Sequence, residues 1–298
     1  PRPVTIKAAP ALASGGTQPM FGGTQSTSAT SIAPESPAAS LAHDWGAIIP
    51  RVLSELSSAS AAANSSGRGA DDGVKHQYSP RTRRRHALHA LVRISRQNPK
   101  HVWHQFFGQM LLALLELLRD SDAAAREMAL FVIKELLRNQ PDQFNDFLEI
   151  VTLQLLQAYK DTSPEVCQAA DEALVQLSRV VDPKKCLQCL VPIILSEDGT
   201  VLHGSIRLLA KVAVRFEPDD LKREIQFVLP GLFEAFKNPN ADVRKAVVFC
   251  LVDLYMILGD EFTPFLSRLS TSQLKLVTVY INRMAKARAA KTKADSKP

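Results

Sequence analysis

Residues 120–138, DSDAAAREMALFVIKELLR, carry the helical pattern that the rest of the chain repeats. The main apolar positions recur at i, +3, +4, +7, +8 and +11, and are occupied by Ala125, Met128, Ala129, Val132, Ile133 and Leu136. This spacing places them on one face of an α-helix, which either Ser121 or Asp122 is expected to cap. A second apolar side consists of Leu130, Phe131 and Leu137. Neighbouring elements are therefore expected to cover this helix on more than one flank.

The same pattern occurs five times in the chain. With Arg126 as the reference, the equivalent positions are Arg85, Cys167, His203 and Arg244, at intervals of 41, 41, 36 and 41 residues. The residues three, six and seven places further on are apolar in every copy. They are Leu88, Ala129, Ala170, Ile206 and Val247; Leu91, Val132, Ala173, Leu209 and Cys250; and Val92, Ile133, Leu174, Ala210 and Leu251. A period of about 40 residues with two helices per unit is typical of HEAT-type repeats. The predicted fold is all-α: an α-solenoid of about five HEAT-type helix pairs plus a terminal helix, in which stacked pairs share one core.

The partner helices are expected before each of these copies. They are predicted at 102–119, 141–159, 183–195 and 218–236, with a first helix at 41–58 and a last pair at 260–268 and 272–288. Pro192 and Pro230 lie inside two of them, where a proline bends a helix. The sequence STSQ at residues 270–273 is a capping box that opens the final helix.

The turns within the pairs are short and polar, and in a solenoid they line up along one edge. They are predicted at 120–122, 160–164, 196–200 and 237–242. Such turns are suited to contact an external partner. The candidate partner-binding residues are Lys160, Asp161, Lys237, Asn238 and Lys245 on this edge, and Arg283, Lys286, Arg288, Lys291 and Lys293 at the basic end of the chain.

The arginines of the repeat have two interpretations. Arg85, Arg126 and Arg244 either contact a partner or pair with acidic turn residues of a neighbouring repeat, such as Asp120 or Asp161. The second is preferred, because ion pairs between adjacent repeats are common in such stacks. In the same way, the aromatic residues Trp103, Phe106 and Phe107 are expected to form core between repeats in preference to an exposed anchor. The Cys167 and His203 positions interrupt the arginine pattern, for which the sequence offers no reason.

Composition divides the chain of 298 residues into three parts. Residues 1–40 are rich in Ala, Ser, Thr, Pro and Gly and are expected to form a disordered linker. Residues 41–284 form the solenoid, with a flexible insertion near 59–80, and 285–298 form a basic tail. The chain begins with Pro, so it is expected to be a fragment of a longer protein. Ser36 and Ser79 each precede a proline and are candidate phosphorylation sites.

Several functional classes are not expected. The chain has no phosphate-binding Gly-rich loop, no HExxH and no nucleophile elbow, so neither an enzyme nor a cofactor is predicted. Cys186 and Cys189 have the spacing of half a zinc site but lack a second ligand pair, and are expected to be buried thiols without metal. Four cysteines without framework spacing suggest reduced thiols in an intracellular compartment. No apolar run is long enough for a transmembrane helix. The tail lacks aromatic residues, so no specific nucleic-acid binding is predicted.

Three further stretches carry a resemblance to a known family. They are ELLRNQP at 135–141, VRKAVVFCLV at 243–252 and above all LSTSQLKLVTVYINR at 269–283. Over residues 41–285 the chain resembles the C-terminal domain of the CLIP-associating protein (CLASP) family. The resemblance implies a cytoplasmic, cytoskeletal regulator that acts at microtubule plus ends, the spindle and the cell cortex. It also implies that this domain docks adaptors, namely CLIP-type plus-end proteins, kinetochore proteins and cortical anchors, while TOG-type arrays directed at tubulin lie mostly upstream.

Direct binding of tubulin or the microtubule lattice, through the turns and the basic tail, is the alternative. Family arrays that bind tubulin tend to present an exposed Trp on the first turn between helices, whereas Trp45 and Trp103 both fall in predicted helices. A second alternative is an unrelated HEAT scaffold. Self-association is left open, because residues 41–58 carry little charge.

Overall fold

The computed structural model describes residues 45–63, 79–97, 100–196 and 199–295, which all lie in one unit, Asp44–Pro298. The linker expected at 1–40, with Ser36, and most of the insertion expected near 59–80 lie outside the described residues. The α-helices are α1 (Trp45–Ala63), α2 (Pro80–Gln97), α3 (Lys100–Leu117), α4 (Ala123–Asn139), α5 (Leu148–Ala158), α6 (Pro164–Val180), α7 (Pro183–Leu195), α8 (Gly199–Ala213), α9 (Pro218–Ile225), α10 (Leu229–Ala235), α11 (Ala241–Leu258), α12 (Thr263–Leu266) and α13 (Thr271–Asp295). Two 3-10 helices, Pro141–Phe147 and Gly259–Phe262, precede α5 and α12. These ranges contain no strand.

The helices form two layers. In one layer α2, α4, α6, α8, α11 and α13 pack against one another in that order. In the other, α1 packs on α3, α5 on α7 and α7 on α10. Each helix of this second layer also contacts its own partner, which gives the pairs α1/α2, α3/α4, α5/α6, α7/α8 and α10/α11. The all-α solenoid of about five helix pairs and a terminal helix is thus confirmed.

Helix α4 has the environment that its two apolar sides predict. It lies between α2 and α6 and also packs on α3. Asp122 is its cap: the side-chain Oδ1 accepts a hydrogen bond of 3.2 Å from the Ala124 amide. The side chains of Leu130, Val132 and Ile133 are completely buried. Burial of each such side chain stabilises the fold by about 1.5–3 kcal/mol, so α4 depends on both neighbours.

The fifteen apolar repeat positions form the continuous core, with one exception. Fourteen of them are buried, from Leu88 on α2 to Leu251 on α11. The exception is Ala210, which is half-buried and lines a groove between α8 and α11. The repeat period therefore identifies the core, and its one half-buried position lies at a groove in the packing.

Two predicted helices are broken in the structure. The segment predicted at 141–159 consists of the 3-10 helix Pro141–Phe147 followed by α5. The segment predicted at 218–236 is divided into α9 and α10, so the prediction that Pro230 lies inside a helix is wrong: it belongs to the first turn of α10. A proline lacks the amide hydrogen that an inner turn requires and is therefore well placed in a first turn. Pro192 does lie inside α7.

Close packing of α8 against α5 depends on Gly204. A Cβ atom at this position would lie 3.0 Å from Leu156 Cδ2 and 3.2 Å from Tyr159 Cδ1. Gly259 has a conformational role, because its φ of 62° ends α11 in a region that L side chains rarely adopt.

The expected aromatic core is present between α3 and the following segment. Trp103 is fully buried and Phe107 is 2% exposed, while Phe106 is half-buried against the core. The Phe107 ring meets Phe144 edge to face, with 5.0 Å between centroids. These residues form core, as the sequence predicts, and not an exposed anchor.

The terminal helix begins at the predicted capping box. The Gln273 side chain accepts a hydrogen bond of 3.0 Å from the Ser270 amide, and Ser270 Oγ accepts one of 3.3 Å from the Gln273 amide. Helix α13 continues to Asp295. The residues predicted as a basic tail are therefore helical for most of their length.

Candidate partner-binding surfaces

The turns between α3 and α4 and between α5 and α6 are held by buried ion pairs. Arg126 donates two hydrogen bonds to the Asp161 carboxylate, at 2.8 and 2.7 Å, and one of 2.7 Å to the Asp120 carbonyl. One repeat earlier, Arg84 donates to the Asp120 carboxylate. The hydrogen bond from Arg126 is the main cause that lowers the pKa of the Asp161 carboxyl, and the Ser163 amide adds to it. The preferred interpretation of Arg126 as a structural residue is confirmed.

Two of the predicted arginine contacts are different in the structure. Arg85 is exposed, and the neighbouring Arg84, with a side chain only 9% exposed, makes the pair with Asp120. Successive residues point about 100° apart around a helix. The register set by the apolar positions selects Arg85, whereas the adjacent Arg84 is the residue that points toward Asp120. Arg244 donates to the carbonyls of Asn238 and Pro239, in its own turn, at 2.7 Å each.

The two positions that interrupt the arginine pattern make other contacts. The Cys167 thiol donates to the Asp161 carbonyl at 3.0 Å, which is the role that the Arg126 side chain has toward Asp120. His203 stacks on the Tyr159 ring at 5.9 Å between centroids. Arg207 donates to the Tyr159 hydroxyl and lies 3.6 Å from Asp171. Burial and the nearby Arg207 lower the pKa of His203.

The candidate residues on the turns differ in accessibility. The Asp161 side chain is 13% exposed and bound to Arg126, which gives it a structural role. Lys237 pairs with Glu234 at 2.7 Å on the surface. The Asn238 side chain accepts a hydrogen bond of 2.9 Å from the Asn240 amide. Lys160 and Lys245 are exposed, so these two lysines remain the stronger candidates on this edge.

The basic candidates at the end of the chain all belong to α13. Arg283, Lys286 and Arg288 are exposed. Arg288 also donates to the Met256 carbonyl at 3.4 Å, which ties the helix to α11. Lys291 and Lys293 are on α13, but their side chains are outside the described part of the structure.

The structure adds an apolar surface that the repeat analysis did not identify. Among the described residues, ten large apolar side chains are exposed, and five of them lie on α11 and α13. These five are Phe249, Leu274, Leu276, Val279 and Met284. Phe249 meets Tyr280 edge to face, with 5.4 Å between ring centroids. The spacing of Lys245, Phe249 and Asp253 at every fourth residue is the sequence signal that places them along one exposed side of α11.

Two grooves adjoin this apolar surface. The first, of about 520 Å³, follows α8 and α11; Arg207, Ala210, Lys211, Lys245 and Phe249 are among its lining residues. The second, of about 230 Å³, lies beside α11 and α13 and is lined by residues that include Phe236, Arg244, Leu276 and Tyr280. Lys245 and Phe249 line both grooves, so they join a surface that extends from α8 to α13.

The cysteines of α7 have the environment of structural thiols. Cys186 is 1% exposed, and burial raises the pKa of its thiol to about 12. Burial also raises the pKa of Cys189. A thiolate is the metal-binding form of cysteine, and these pKa values disfavour it. Within the described residues no cluster of His, Cys, Asp and Glu is arranged to hold a metal ion.

No helix in this part of the chain is both long and apolar enough to cross a bilayer.

Comparison with known proteins gives consistent matches. A family model described as HEAT repeat matches residues 228–258. The CLIP-associated protein of Arabidopsis thaliana is 40% identical over 210 residues, which are 70% of this chain and 15% of that protein. CLIP-associating protein 1-A of Xenopus laevis is 40% identical over 200 residues, which are 67% of this chain and 14% of that protein. The chain thus spans about one seventh of the length of these relatives, neither of which is named as an enzyme.

A solved structure agrees in fold. A structure of Crescerin, which uses a TOG domain array to regulate microtubules in the primary cilium, superposes with a TM-score of 0.57. The match covers 67% of this chain and 85% of that one at 19% identity, and shows a shared TOG-like arrangement of HEAT repeats. Two CLIP-associating proteins are 40% identical to this chain over at least two thirds of its length. This HEAT-repeat domain therefore belongs to the CLIP-associating protein family.

Proposed function

We propose that this domain is the adaptor-docking module of a microtubule regulator that acts in the cytoplasm, on the microtubule cytoskeleton and spindle. Its partners are proteins of the CLIP, kinetochore or cortical type, bound by the surface of α11 and α13. The names of the relatives, which refer to association with CLIP, support this class of partner. Membership of the family argues against an unrelated HEAT scaffold.

The observation that carries the proposal is the exposed apolar surface on the last two long helices. Phe249 and Leu276 are 40% and 44% exposed, and Val279 is 60% exposed. The basic residues Lys245 and Arg283 lie on the same two helices. An apolar centre with a polar, charged rim is the arrangement of a protein-binding surface.

Direct binding to tubulin is the second candidate, and it uses other residues. The exposed Lys160 on the turn edge and the basic side of α13 are suited to an acidic surface such as the microtubule lattice. The TOG-like fold shared with Crescerin favours it. Against it, Trp103 is fully buried and Arg126 is bound to Asp161, so neither is available to a partner.

Binding assays with the full chain separate the two candidates. We expect a purified CLIP-type adaptor to bind, and Val279→Asp together with Leu276→Asp to abolish that binding. The matched control is Leu112→Asp with Ile150→Asp, since these side chains are exposed on α3 and α5. Removal of residues 285–298, which retains Met284 of the apolar surface, should leave adaptor binding intact. Co-sedimentation with microtubules that is lost on removal of 285–298, without adaptor binding, would favour the second candidate.

A further inference from the structure

The groove between α8 and α11 has the form of a binding site for a helix. Its lining extends from His203 on α8 to Val214, the residue that follows the end of α8, which is about 16 Å at the rise of an α-helix, or about three turns. Its lining includes the small side chains of Ala210, Ala246 and Cys250. Small residues allow the backbone of a packed helix to approach closely, which a row of leucines would prevent.

Apolar side chains border this groove at two places. Val214 is 67% exposed and Phe249 is 40% exposed, and both line the groove. Neither fills the core, to which their buried neighbours in the chain, Ala213 and Val248, belong. They therefore offer apolar area to a molecule that enters the groove.

The middle of the groove is basic. Lys211 and Lys245 line it from opposite helices, and within the described residues neither ammonium forms an ion pair. On α11 the acidic lining residues Asp242 and Asp253 stand at the two ends of the lining, with Lys245 between them, and Asp253 is half-buried near Arg288. The middle of the groove is thus basic, and a complementary occupant carries its acidic residues there.

The other segments of this chain do not meet this requirement. Residues 1–43 contain Glu35 as their one acidic residue. Residues 64–78 contain two acidic and two basic residues, with no helical apolar pattern. A second copy that applied its α11 and α13 would place Lys245 and Arg283 against like charges. The occupant that the charges favour is a segment other than those of these 298 residues.

We propose that the α8–α11 groove binds an acidic amphipathic helix of about three turns from a partner protein. Its apolar residues at i, i+3 or i+4 and i+7 lie against Ala210, Val214 and Phe249. Its Asp or Glu side chains, on the two flanks of that apolar stripe, pair with Lys211 and Lys245. The inference rests on the proposed docking function and adds the α8–α11 groove to the docking site, because Lys245 and Phe249 join this groove to the surface of α11 and α13.

The groove also explains how one domain accepts several partners. Recognition by an apolar stripe and two lysines specifies a pattern of residues and not a single sequence. Because both lysines are accessible to solvent, their ion pairs with the bound helix raise the association rate and make binding weaken as salt increases. The turn edge is not occupied by this helix, so contacts at Lys160 remain independent of it.

A library of helical peptides, randomised on every position and displayed on phage, is selected on the full chain. We expect the enriched peptides to share apolar residues at i, i+3 or i+4 and i+7, flanked by Asp or Glu. An enriched peptide is then synthesised, and its dissociation constant is measured by fluorescence anisotropy. Lys211→Glu with Lys245→Glu should weaken binding by about tenfold or more, and Val214→Asp should weaken it by several fold.

The matched control is Arg138→Glu with Arg179→Glu, two exposed arginines near the ends of α4 and α6. It changes the net charge by the same amount, and binding should change less than about twofold. Thermal unfolding of each variant shows whether it is folded. A peptide of the same net charge without apolar periodicity should not compete.

Four results would overturn the groove proposal. In the selection, they are the absence of any enriched peptide and enriched peptides that lack the acidic or the apolar pattern. In the binding measurements, they are an equal loss of binding in the control variant and competition by the charge-matched peptide. Binding of phosphatidylserine vesicles through Lys211 and Lys245, without peptide binding, also overturns it. A CLIP-type adaptor is measured on the same variants: if it binds all of them equally, the groove proposal fails while the docking function stands. If acidic peptides bind but no adaptor does, the docking function fails instead.

Discussion

The Arg126 guanidinium and the Asp161 carboxylate, 35 residues apart in sequence, form a two-pronged ion pair that joins consecutive turns of the solenoid. Their side chains are 12% and 13% exposed. Because Arg126 also donates to the Asp120 carbonyl, one side chain fixes both turns. The turn edge is therefore a rigid structural element, and the exposed apolar surface lies away from it, on α11 and α13.

Removal of one partner of this pair should destabilise the domain. For Asp161→Ala we expect a loss of about 2 kcal/mol in the free energy of unfolding, because Arg126 loses two charged hydrogen bonds in a site with little water. Urea unfolding measures this loss. The double variant Arg126→Met with Asp161→Leu should be less destabilised than the two single changes added together. Strict additivity would show that the two side chains do not interact.

The same pair predicts how stability depends on pH. The pKa of Asp161 is lower in the folded state than its unfolded value of about 4. Its stabilisation is therefore complete above about pH 4 and is lost as the pH falls through the folded pKa. The difference in unfolding free energy between the wild type and Asp161→Asn should be constant near neutral pH and should shrink in acid. A difference that grows on acidification would contradict this assignment.

Arg84 and Arg85 provide a test of register on α2. Arg84 is bound to Asp120 with a 9% exposed side chain, whereas Arg85 is exposed. We expect Arg84→Ala to cost about 2 kcal/mol in unfolding free energy and Arg85→Ala to change it by less than about 0.5 kcal/mol. The two variants have the same composition and the same loss of charge, so each controls for the other. Equal losses of unfolding free energy in the two variants would show that Arg84 is not the residue that pairs with Asp120.

Alkylation should distinguish the four thiols. Cys186 and Cys250 are each 1% exposed, and burial raises the pKa of both. Cys167 and Cys189 are half-buried. With iodoacetamide at a mildly basic pH, we expect modification of Cys167 and Cys189 in the folded protein, and of the other two only in urea. Mass spectrometry of the peptides identifies each site. Modification of Cys186 as fast as Cys189 would show that α7 opens readily.

Two buried glycines should respond differently to an added methyl group. At Gly231 the Cβ would lie 2.9 Å from Ile194 Cγ2 and 3.2 Å from the Ile194 backbone oxygen, which belongs to α7 and cannot move alone. At Gly204 the nearest atoms all belong to side chains, Leu156 Cδ2 and Tyr159 Cδ1 first among them. We expect Gly231→Ala to destabilise the domain by about 1–2 kcal/mol. Gly204→Ala should cost less, because alanine favours a helix and side chains shift more easily than backbone. Thermal unfolding of both variants compares them; a greater loss at Gly204 would contradict this prediction.

The fold could be predicted from the sequence because the apolar pattern that produces it is local and repeated. Apolar residues such as Leu88, Ala129 and Val247 return at the same place in each copy, and this period defines both the helices and the face that their neighbours cover. The caps at Asp122 and Ser270 are also local, because each bonds to an amide two or three residues away.

The breaks before α5 and between α9 and α10 could not be predicted from the sequence pattern. Phe144 and Phe147 continue the apolar spacing of α5 toward its N-terminus, but residues 141–147 adopt a 3-10 helix. Residues 226–228 interrupt the segment before Pro230. Periodicity reports which side of a helix is buried, and it is insensitive to the loss of a few backbone hydrogen bonds. The position of such a break depends on how Phe144 and Gly231 pack against the preceding pair.

The sequence by itself determined a stack of helix pairs, its core and the start of its final helix. The tertiary structure alone decided that Arg84 and not Arg85 pairs with Asp120, and that a groove between α8 and α11 leaves Ala210 half-buried. The physical reason is the same in both cases. Spacing along the chain fixes the direction of a side chain around its own helix, whereas contact between helices depends on their stagger and separation. Those two quantities arise from the packing of side chains about 40 residues apart, and they are set only when the repeats assemble.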